Sequence, residues 1–244
     1  MPASPGAVAV EGWYDALNRL SGELTSEHPD WAWVNITLRP WYAEGAKTIA
    51  YEVAEDLDWA APDHVVVPMA SGALAVKTDQ GFTELVRAGL LDRVPALTVA
   101  QPGGCAPVAE AFAAGRDDVD PVRPATVAGS LAMGDPPDGA FVLAAVRRTG
   151  GRVIAAPEEG IPDGAALLHR TEGIATEPAG GVVVGALRSL AGSGLVRPGQ
   201  RIVAILTAGA RPVSRAFAPA VTIRPTVADF ESWYSTTRLR APMD

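Results

Sequence analysis

The chain has 244 residues, 48% of them hydrophobic, and a net charge of −8 at neutral pH, which is enough apolar material for one large domain or one and a half smaller ones. Its only lysines are Lys47 and Lys77 and its arginines are scattered, so there is no basic cluster to hold a nucleic-acid backbone. The single cysteine, Cys105, and the dispersed His28, His64 and His169 form neither a disulfide framework nor a zinc-ligand spacing, and a reducing cytoplasm is the expected location.

The chain opens MPASPGAVAVEGW, without a basic region followed by a long apolar stretch, and no later segment reaches the apolar length of a membrane span. A soluble protein, neither secreted nor membrane-bound, is expected. A short strand around 7–10 precedes a helix over 14–27, where Ala16, Leu17, Leu20 and Leu24 fall at helical spacing. Residues 31–36 read as a buried strand. Residues 44–57 read as a helix whose Ile49, Ala50, Val53, Ala54 and Leu57 face a sheet while Glu52, Glu55 and Asp56 stay in water.

The run HVVVPM gives a strand over 65–69, followed by a small-residue loop at 70–73 and a helix from about 74 to 89. A strand at 97–101 and a helix at 106–114 repeat the unit. The charged, proline-bearing stretch 115–124 is an exposed connection. A helix covers 141–148. The sequence PEEGIPDG at 157–164 delays the next helix, because glycines and prolines interrupt its start. A helix over 177–190 has a glycine-rich beginning, 202–206 is a last core strand, and the tail from 212 is irregular until a helix at 227–234. Alternating strands and helices of this kind form a mostly parallel open sheet with helices on both faces, an α/β fold. The expected division is one region over 1–211 and a C-terminal extension over 212–244.

Three stretches could hold a ligand. Ala70, Ser71, Gly72 and Ala73 follow a strand and open a helix, where successive N–H groups and the dipole favour an anion; the same turn is also a routine strand-to-helix connection. Thr207-Ala208-Gly209-Ala210 follows the strand IVAIL, at the end where ligands of parallel sheets gather, or it simply ends a strand. Glu177-Pro178-Ala179-Gly180-Gly181 lets a backbone approach a flat ligand, or is a helix start with an acid at the positive pole. Cys105 is either a thiol at a helix N-terminus or a small buried hydrophobe. His64 reads as the first residue of a strand, and no Ser/His/Asp set can be assembled.

Taken in order, the segments LRPWYAEGAKTIAYEVAEDL, DHVVVPMASGALAVKTDQGFTELVRAGLLD, GCAPVAEAF, PVRPATVAGSLAMGDPPDGAFVLAAVRRTGG and RTEGIATEPAGGVVVGALRSL closely resemble consecutive segments of threonine synthase. The spacing agrees over about 6–209, and IRPTVADF near the end is also similar. The resemblance implies an incomplete tryptophan-synthase-beta-like large domain of fold type II, dependent on pyridoxal 5'-phosphate. It also implies an enzyme that converts O-phosphohomoserine, a small phosphorylated amino acid, and water into threonine and phosphate. By the same resemblance, Ala70 to Leu74 (Ala70, Ser71, Gly72, Ala73, Leu74) hold the cofactor phosphate. Thr207 lies against the pyridine nitrogen, Glu177 lies near the ring, and Thr37, Arg39 and Tyr42 border the substrate.

The family's Schiff-base lysine lies upstream of the matching region, followed by a Ser-Gly-Asn-Thr type loop, and neither motif occurs in these 244 residues. The resemblance makes Lys47, in the EGAKT motif, a structural residue, and places Lys77 in a helix out of reach of the ring. The isolated chain would therefore bind the cofactor non-covalently. Thr207-Ala208-Gly209-Ala210 stands where the family has Thr-Gly-x-Gly, and PEEGIPDG stands where it has a regular acidic helix.

One reading is half of a split enzyme, with a complementary polypeptide supplying the lysine and the N-terminal half. That half would dock on an exposed apolar face around Trp13, Trp31, Trp33 and Trp41; a homodimer is compatible with this reading. Another is a pseudoenzyme, a binding or regulatory protein that kept the fold, for which the glycine and proline changes around Gly160 to Gly164 signal relaxed constraint. A third is a truncated product.

Overall fold

The computed structural model describes residues 7–35, 40–210 and 219–238. In chain order the elements are β1 (Val8–Val10), α1 (Tyr14–Glu27), α2 (Pro40–Glu44), α3 (Thr48–Asp56), β2 (His64–Pro68), α4 (Ala73–Arg87), β3 (Ala96–Pro102) and α5 (Pro107–Ala113). They continue with α6 (Gly139–Thr149), β4 (Arg152–Ala156), α7 (Ile161–Glu172), α8 (Pro178–Gly192), β5 (Ile202–Ala204), β6 (Val221–Ile223) and α9 (Val227–Arg238).

These elements fall into two compact units, one spanning Asn35–Arg211 and the other combining Met1–Val34 with Pro212–Asp244. The larger unit is built on a four-stranded sheet in the order β4-β3-β2-β5, with every neighbouring pair parallel. β2 is central because it is a β-branched run with no polar side to present to water: Val65, Val66 and Val67 are all buried. Successive side chains of a strand point to opposite faces. Val65 and Val67 pack with Val99 of β3, Phe82 of α4, Val108 of α5 and Leu143 of α6. Val66 packs with Ala100 of β3 and with Val182, Val183 and Ala186 of α8. One face thus carries the helices between β2 and β4, and the other carries those between β4 and β5.

This wiring creates a reversal. The chain steps outward from β2 to β3 to β4, then returns to lay β5 on the other side of β2. The carboxyl ends of β2 and β5 are thus neighbours where the strand order reverses, the position at which open parallel sheets bind ligands.

The smaller unit pairs β1 with β6 in parallel, Val8 opposite Val221 and Val10 opposite Ile223. Its α1 packs Leu20 and Leu24 inward. Trp31 stacks on His28 with ring centroids 3.9 Å apart and meets Tyr234 of α9 at 4.9 Å. A cavity of about 490 Å³ lies among Leu17, Leu24, Trp31, Trp33, Phe230 and Trp233.

Several expectations need correction. Residues 31–35 form no strand, and Val34 is 83% exposed; Ile36 lies outside the described residues. The segment is fixed by its aromatic rings and not by a sheet ladder. Trp31 and Trp33 are accordingly half-buried and only Trp13 and Trp41 of the four tryptophans are exposed. Residues 44–57 break into α2, a tighter turn at Gly45–Lys47 and α3, and α3 lies against α4, which itself covers the sheet. The strands β4 and β6 were missed: each is short, at five and three residues, and follows a helix or a proline-rich stretch without alternation. The boundary at 211/212 coincides with the end of the larger unit, while residues 1–34, expected in the first region, group with the tail, because β6 pairs with β1.

The helix after PEEGIPDG does not start late. It begins at Ile161, with Pro162 in its first turn, where proline removes no helical hydrogen bond. Gly164 is buried, and a Cβ there would stand 2.7 Å from the carbonyl oxygen of Gly181 on α8. The glycine allows two helices to touch, so it gives no sign of relaxed constraint.

Candidate functional site

The site grows from the end of β2. After Pro68 the chain crosses Met69, Ala70 and Ser71 into Gly72, the N-cap of α4, whose φ is +103°. A Cβ at Gly72 would lie 2.8 Å from the Cβ of Asp138 and 2.9 Å from Cγ2 of Val142. Both the conformation and the space therefore require glycine. The carbonyl of Ser71 accepts the backbone N–H of Asp138 at 3.1 Å, and Asp138 is the N-cap of α6. Two helix N-termini meet at this turn. Farther along the same two helices, Nη2 of Arg148 donates to both carboxylate oxygens of Asp79 at 2.5 Å, clasping α4 to α6.

Because a trans peptide directs its C=O and N–H to opposite sides, a Ser71 carbonyl turned to α6 sends the Gly72 N–H the other way. The first-turn amides of Ala73 and Leu74 follow it; neither has a helical carbonyl to serve it, and that of Ala73 donates to Ser71 Oγ at 3.4 Å. The side chains of residues 70–73 are themselves no larger than that of Ser71. This geometry suits a phosphate or sulfate.

Thr207 follows the carboxyl end of β5, the strand next to β2. The parallel pairing of β5 with β2 extends to the N–H of Ile205, which donates to Val66 at 2.9 Å, and Thr207 follows two residues later, exposed. Its neighbours are tied to the start of α8: Thr176 pairs with Gly209, and Thr176 Oγ1 donates to the carbonyl of Ala208 at 2.9 Å. Glu177, the N-cap of α8, accepts a hydrogen bond from Ser130 Oγ at 3.0 Å. The turns at Ser71, Thr207 and Glu177 therefore share the carboxyl edge of one sheet.

Sequence reasoning missed the residues that brace this edge. Glu158 accepts the N–H of Gly104 at 2.9 Å and that of Val127 at 2.6 Å. Burial acts to raise its pKa, but those backbone donors and the Thr126 hydroxyl outweigh it and hold the carboxyl below the usual glutamate range. Gln101, buried at the end of β3, accepts the N–H groups of Val108 and Ala109 at 3.0 Å each, and so caps α5 from outside the helix. The detectable signal was a glutamine at the inward end of an apolar strand, directly before a helix.

Other candidates resolve as follows. His64 begins β2, at the opposite end from the site, and burial lowers its pKa. Cys105 is buried, in keeping with the small-hydrophobe reading. Thr37 and Arg39 lie outside the described residues, as does the side chain of Tyr42. Lys47 donates to Glu84 at 2.7 Å and pairs with Glu44 at 2.6 Å, and these carboxylates raise its pKa above the usual lysine value. Lys77 is paired with Glu44. Both amines are therefore engaged by carboxylates. Among the described residues no group of three or more His, Cys, Asp or Glu could hold a metal ion, and no helix is long and apolar enough to cross a membrane.

A family model described as pyridoxal-phosphate dependent enzyme matches residues 6–208. The chain belongs to that family. It is 34% identical to threonine synthase of Methanocaldococcus jannaschii over 172 residues, covering 70% of this chain and 42% of that protein. To threonine synthase of Methanosarcina acetivorans it is 33% identical over 201 residues, covering 82% and 49%. The chain spans about half the length of these curated relatives. Among solved structures it resembles threonine deaminase isoform 2 of Solanum lycopersicum, with a TM-score of 0.61 at 17% identity over 78% of this chain and 49% of that one. It also resembles diaminopropionate ammonia lyase of Escherichia coli, with a TM-score of 0.59 at 23% identity over 80% and 54%. These likenesses establish the fold type II architecture.

The residues fit the cofactor's phosphate in that the turn at Ser71–Gly72 leads into the N-terminus of α4, where first-turn backbone N–H groups suit an anion, and only glycine allows that turn its φ of +103°. They provide no unengaged lysine amine for its aldehyde.

Proposed function

We propose that this chain carries the phosphate side of a threonine-synthase-like site and acts on O-phosphohomoserine and water when a complementary polypeptide supplies the missing lysine. The observation that supports it best is the Ser71–Gly72 turn at the carboxyl end of β2, with Thr207 after the end of the neighbouring strand β5. Pyridoxal phosphate, when bound, supplies an electron sink. In this reading the amides of Gly72, Ala73 and Leu74 hold its phosphate, and the Thr207 hydroxyl serves the ring nitrogen. Glu177 is held in place beside the ring by Ser130. By the family resemblance Thr37, Arg39 and Tyr42 border the substrate, and a guanidinium such as that of Arg39 is a fork matched to a phosphate or carboxylate. A non-catalytic binding protein would keep the phosphate contacts alone.

The test is borohydride reduction in the presence of pyridoxal phosphate, followed by peptide mapping. The chain alone is expected to bind the cofactor without a labelled lysine, and Gly72→Val is expected to lose that binding. With a complementary lysine-bearing polypeptide, the label should appear on the partner and threonine should form. Label on Lys47 or Lys77, together with turnover lost in Lys47→Ala or Lys77→Ala, would overturn the split-enzyme reading. Retention of binding by Gly72→Val would overturn the phosphate assignment.

A further inference from the structure

We propose that the open edge of β5 is the docking surface for the complementary polypeptide, which adds a strand parallel to β5 and so extends the four-stranded sheet. The inference rests on the split-enzyme reading above and names where its two parts meet.

β5 has the sequence of a central strand in the position of an edge strand. It pairs with β2 on one side, and among the described residues no strand pairs with it on the other. The run it begins, Ile202-Val203-Ala204-Ile205-Leu206, is apolar throughout, as in strands of parallel sheets that are covered on both faces. Val65, Val66 and Val67 of β2 are buried accordingly, but none of these five residues is. Val203 and Ile205 lie half-buried against the layer of Val65 and Val67, and Ile202, Ala204 and Leu206 half-buried against the layer of Val66. Both layers thus stop short at the same strand. The opposite edge differs, since β4 buries Val153 and Ala156 and runs into Pro157.

The backbone repeats the pattern. Arg201 gives its N–H to the Asp63 carboxylate at 2.8 Å and accepts the N–H of Asp63 with its carbonyl at 2.8 Å, and the N–H of Ile205 goes to Val66 at 2.9 Å. In a strand the backbone groups of successive residues point to alternate sides. Arg201, Val203 and Ile205 therefore face β2, while Ile202 and Ala204 turn N–H and C=O to the open side. A bare apolar edge of this kind is a template for another strand.

The occupant follows from length. The chain spans about half the length of its curated relatives, so the fold they share uses as much chain again, and the split-enzyme reading places the lysine on that part. Every neighbouring pair of the sheet is parallel, and a strand added in the same sense ends beside Thr207. A lysine following that strand enters at the carboxyl edge that carries the turns at Ser71 and Glu177.

The test is co-expression of the full chain with the part of Methanosarcina acetivorans threonine synthase outside the matched 201 residues, followed by affinity capture and hydrogen exchange. In the chain alone, the amides of Ile202 and Ala204 are expected to exchange faster than those of Val203 and Ile205. In the captured complex they should slow on the order of tenfold or more. Ala204→Pro removes only an outward N–H, which an edge strand tolerates, so the variant chain should melt as the parent does while capture weakens on the order of tenfold. Should that variant not fold, exchange in the unaltered chain decides by itself. Capture with Ile202 and Ala204 still exchanging freely, or undiminished capture by folded Ala204→Pro, overturns the proposal, and threonine formation would then leave the split-enzyme reading standing without it. Protection at the edge without threonine formation keeps the docking surface and removes the activity. Dimerisation of the chain alone that Ala204→Pro abolishes would give the edge to a second copy and overturn the proposal. If nothing is captured, both fall together.

Discussion

Gly164 of α7 faces the carbonyl oxygen of Gly181 on α8, so closely that a Cβ at Gly164 would approach it to 2.7 Å. In the reverse direction, a Cβ at Gly181 would lie 2.1 Å from the carbonyl oxygen of Ile161. These two helices form the layer that covers Val66 and Ala100 of the sheet. Two effects compete on replacement by alanine. Helix propensity favours Ala over Gly by about 1 kcal/mol, and overpacking against backbone costs about 1–3 kcal/mol. Backbone cannot swing aside as a side chain does, so the steric cost should win. Gly164→Ala is expected to lower unfolding stability, and Gly181→Ala to lower it further, as read from urea midpoints. A rise in stability in Gly164→Ala would restore the relaxed-constraint reading of PEEGIPDG.

Glu158 should make stability depend on pH in one direction. Its folded-state pKa is depressed, so its contribution is fully present above the ordinary glutamate pKa and is lost as pH falls through the folded value. Glu158→Gln keeps one acceptor oxygen but loses the charge, which should cost about 1 kcal/mol at neutral pH. The gap between parent and variant in unfolding free energy should be constant from pH 6 to 8 and close below the usual glutamate range. A gap that widens on acidification would contradict the assigned bonds to Gly104 and Val127.

Gln101 is expected to be the most sensitive polar residue of the larger unit. Replacing it with leucine preserves bulk but strands the N–H groups of Val108 and Ala109 in a buried setting. Each unsatisfied donor costs about 1–3 kcal/mol, against a gain of similar size from the apolar side chain for at most one of them. Chemical denaturation should therefore show Gln101→Leu as clearly destabilised, with hydrogen exchange faster at Val108 and Ala109 than elsewhere on the sheet.

Much of the larger unit was legible in the sequence because local chemistry decides it. HVVVP has no solvent-facing register and must be a buried strand. Gly72 after it needs no information beyond its own backbone freedom. In the smaller unit, α1 likewise follows from the spacing of Leu17, Leu20 and Leu24. Those same rules placed Ser71 and Thr207 at strand ends. The family motifs added roles that no periodicity contains. What tertiary structure alone decided is which strand ends are neighbours: β5 returns to the side of β2, and that return brings two turns far apart in the chain to one edge of the sheet. It also decided where the polar braces reach, since Glu158 finds Gly104 and Val127 across three loops. The tertiary fold likewise made Gly164 a contact and not a break. Residues 31–35 illustrate the limit: a run of tryptophan and valine fits a strand equally well, and only the rings of Phe230 and Tyr234, brought from the far end of the chain, select another packing.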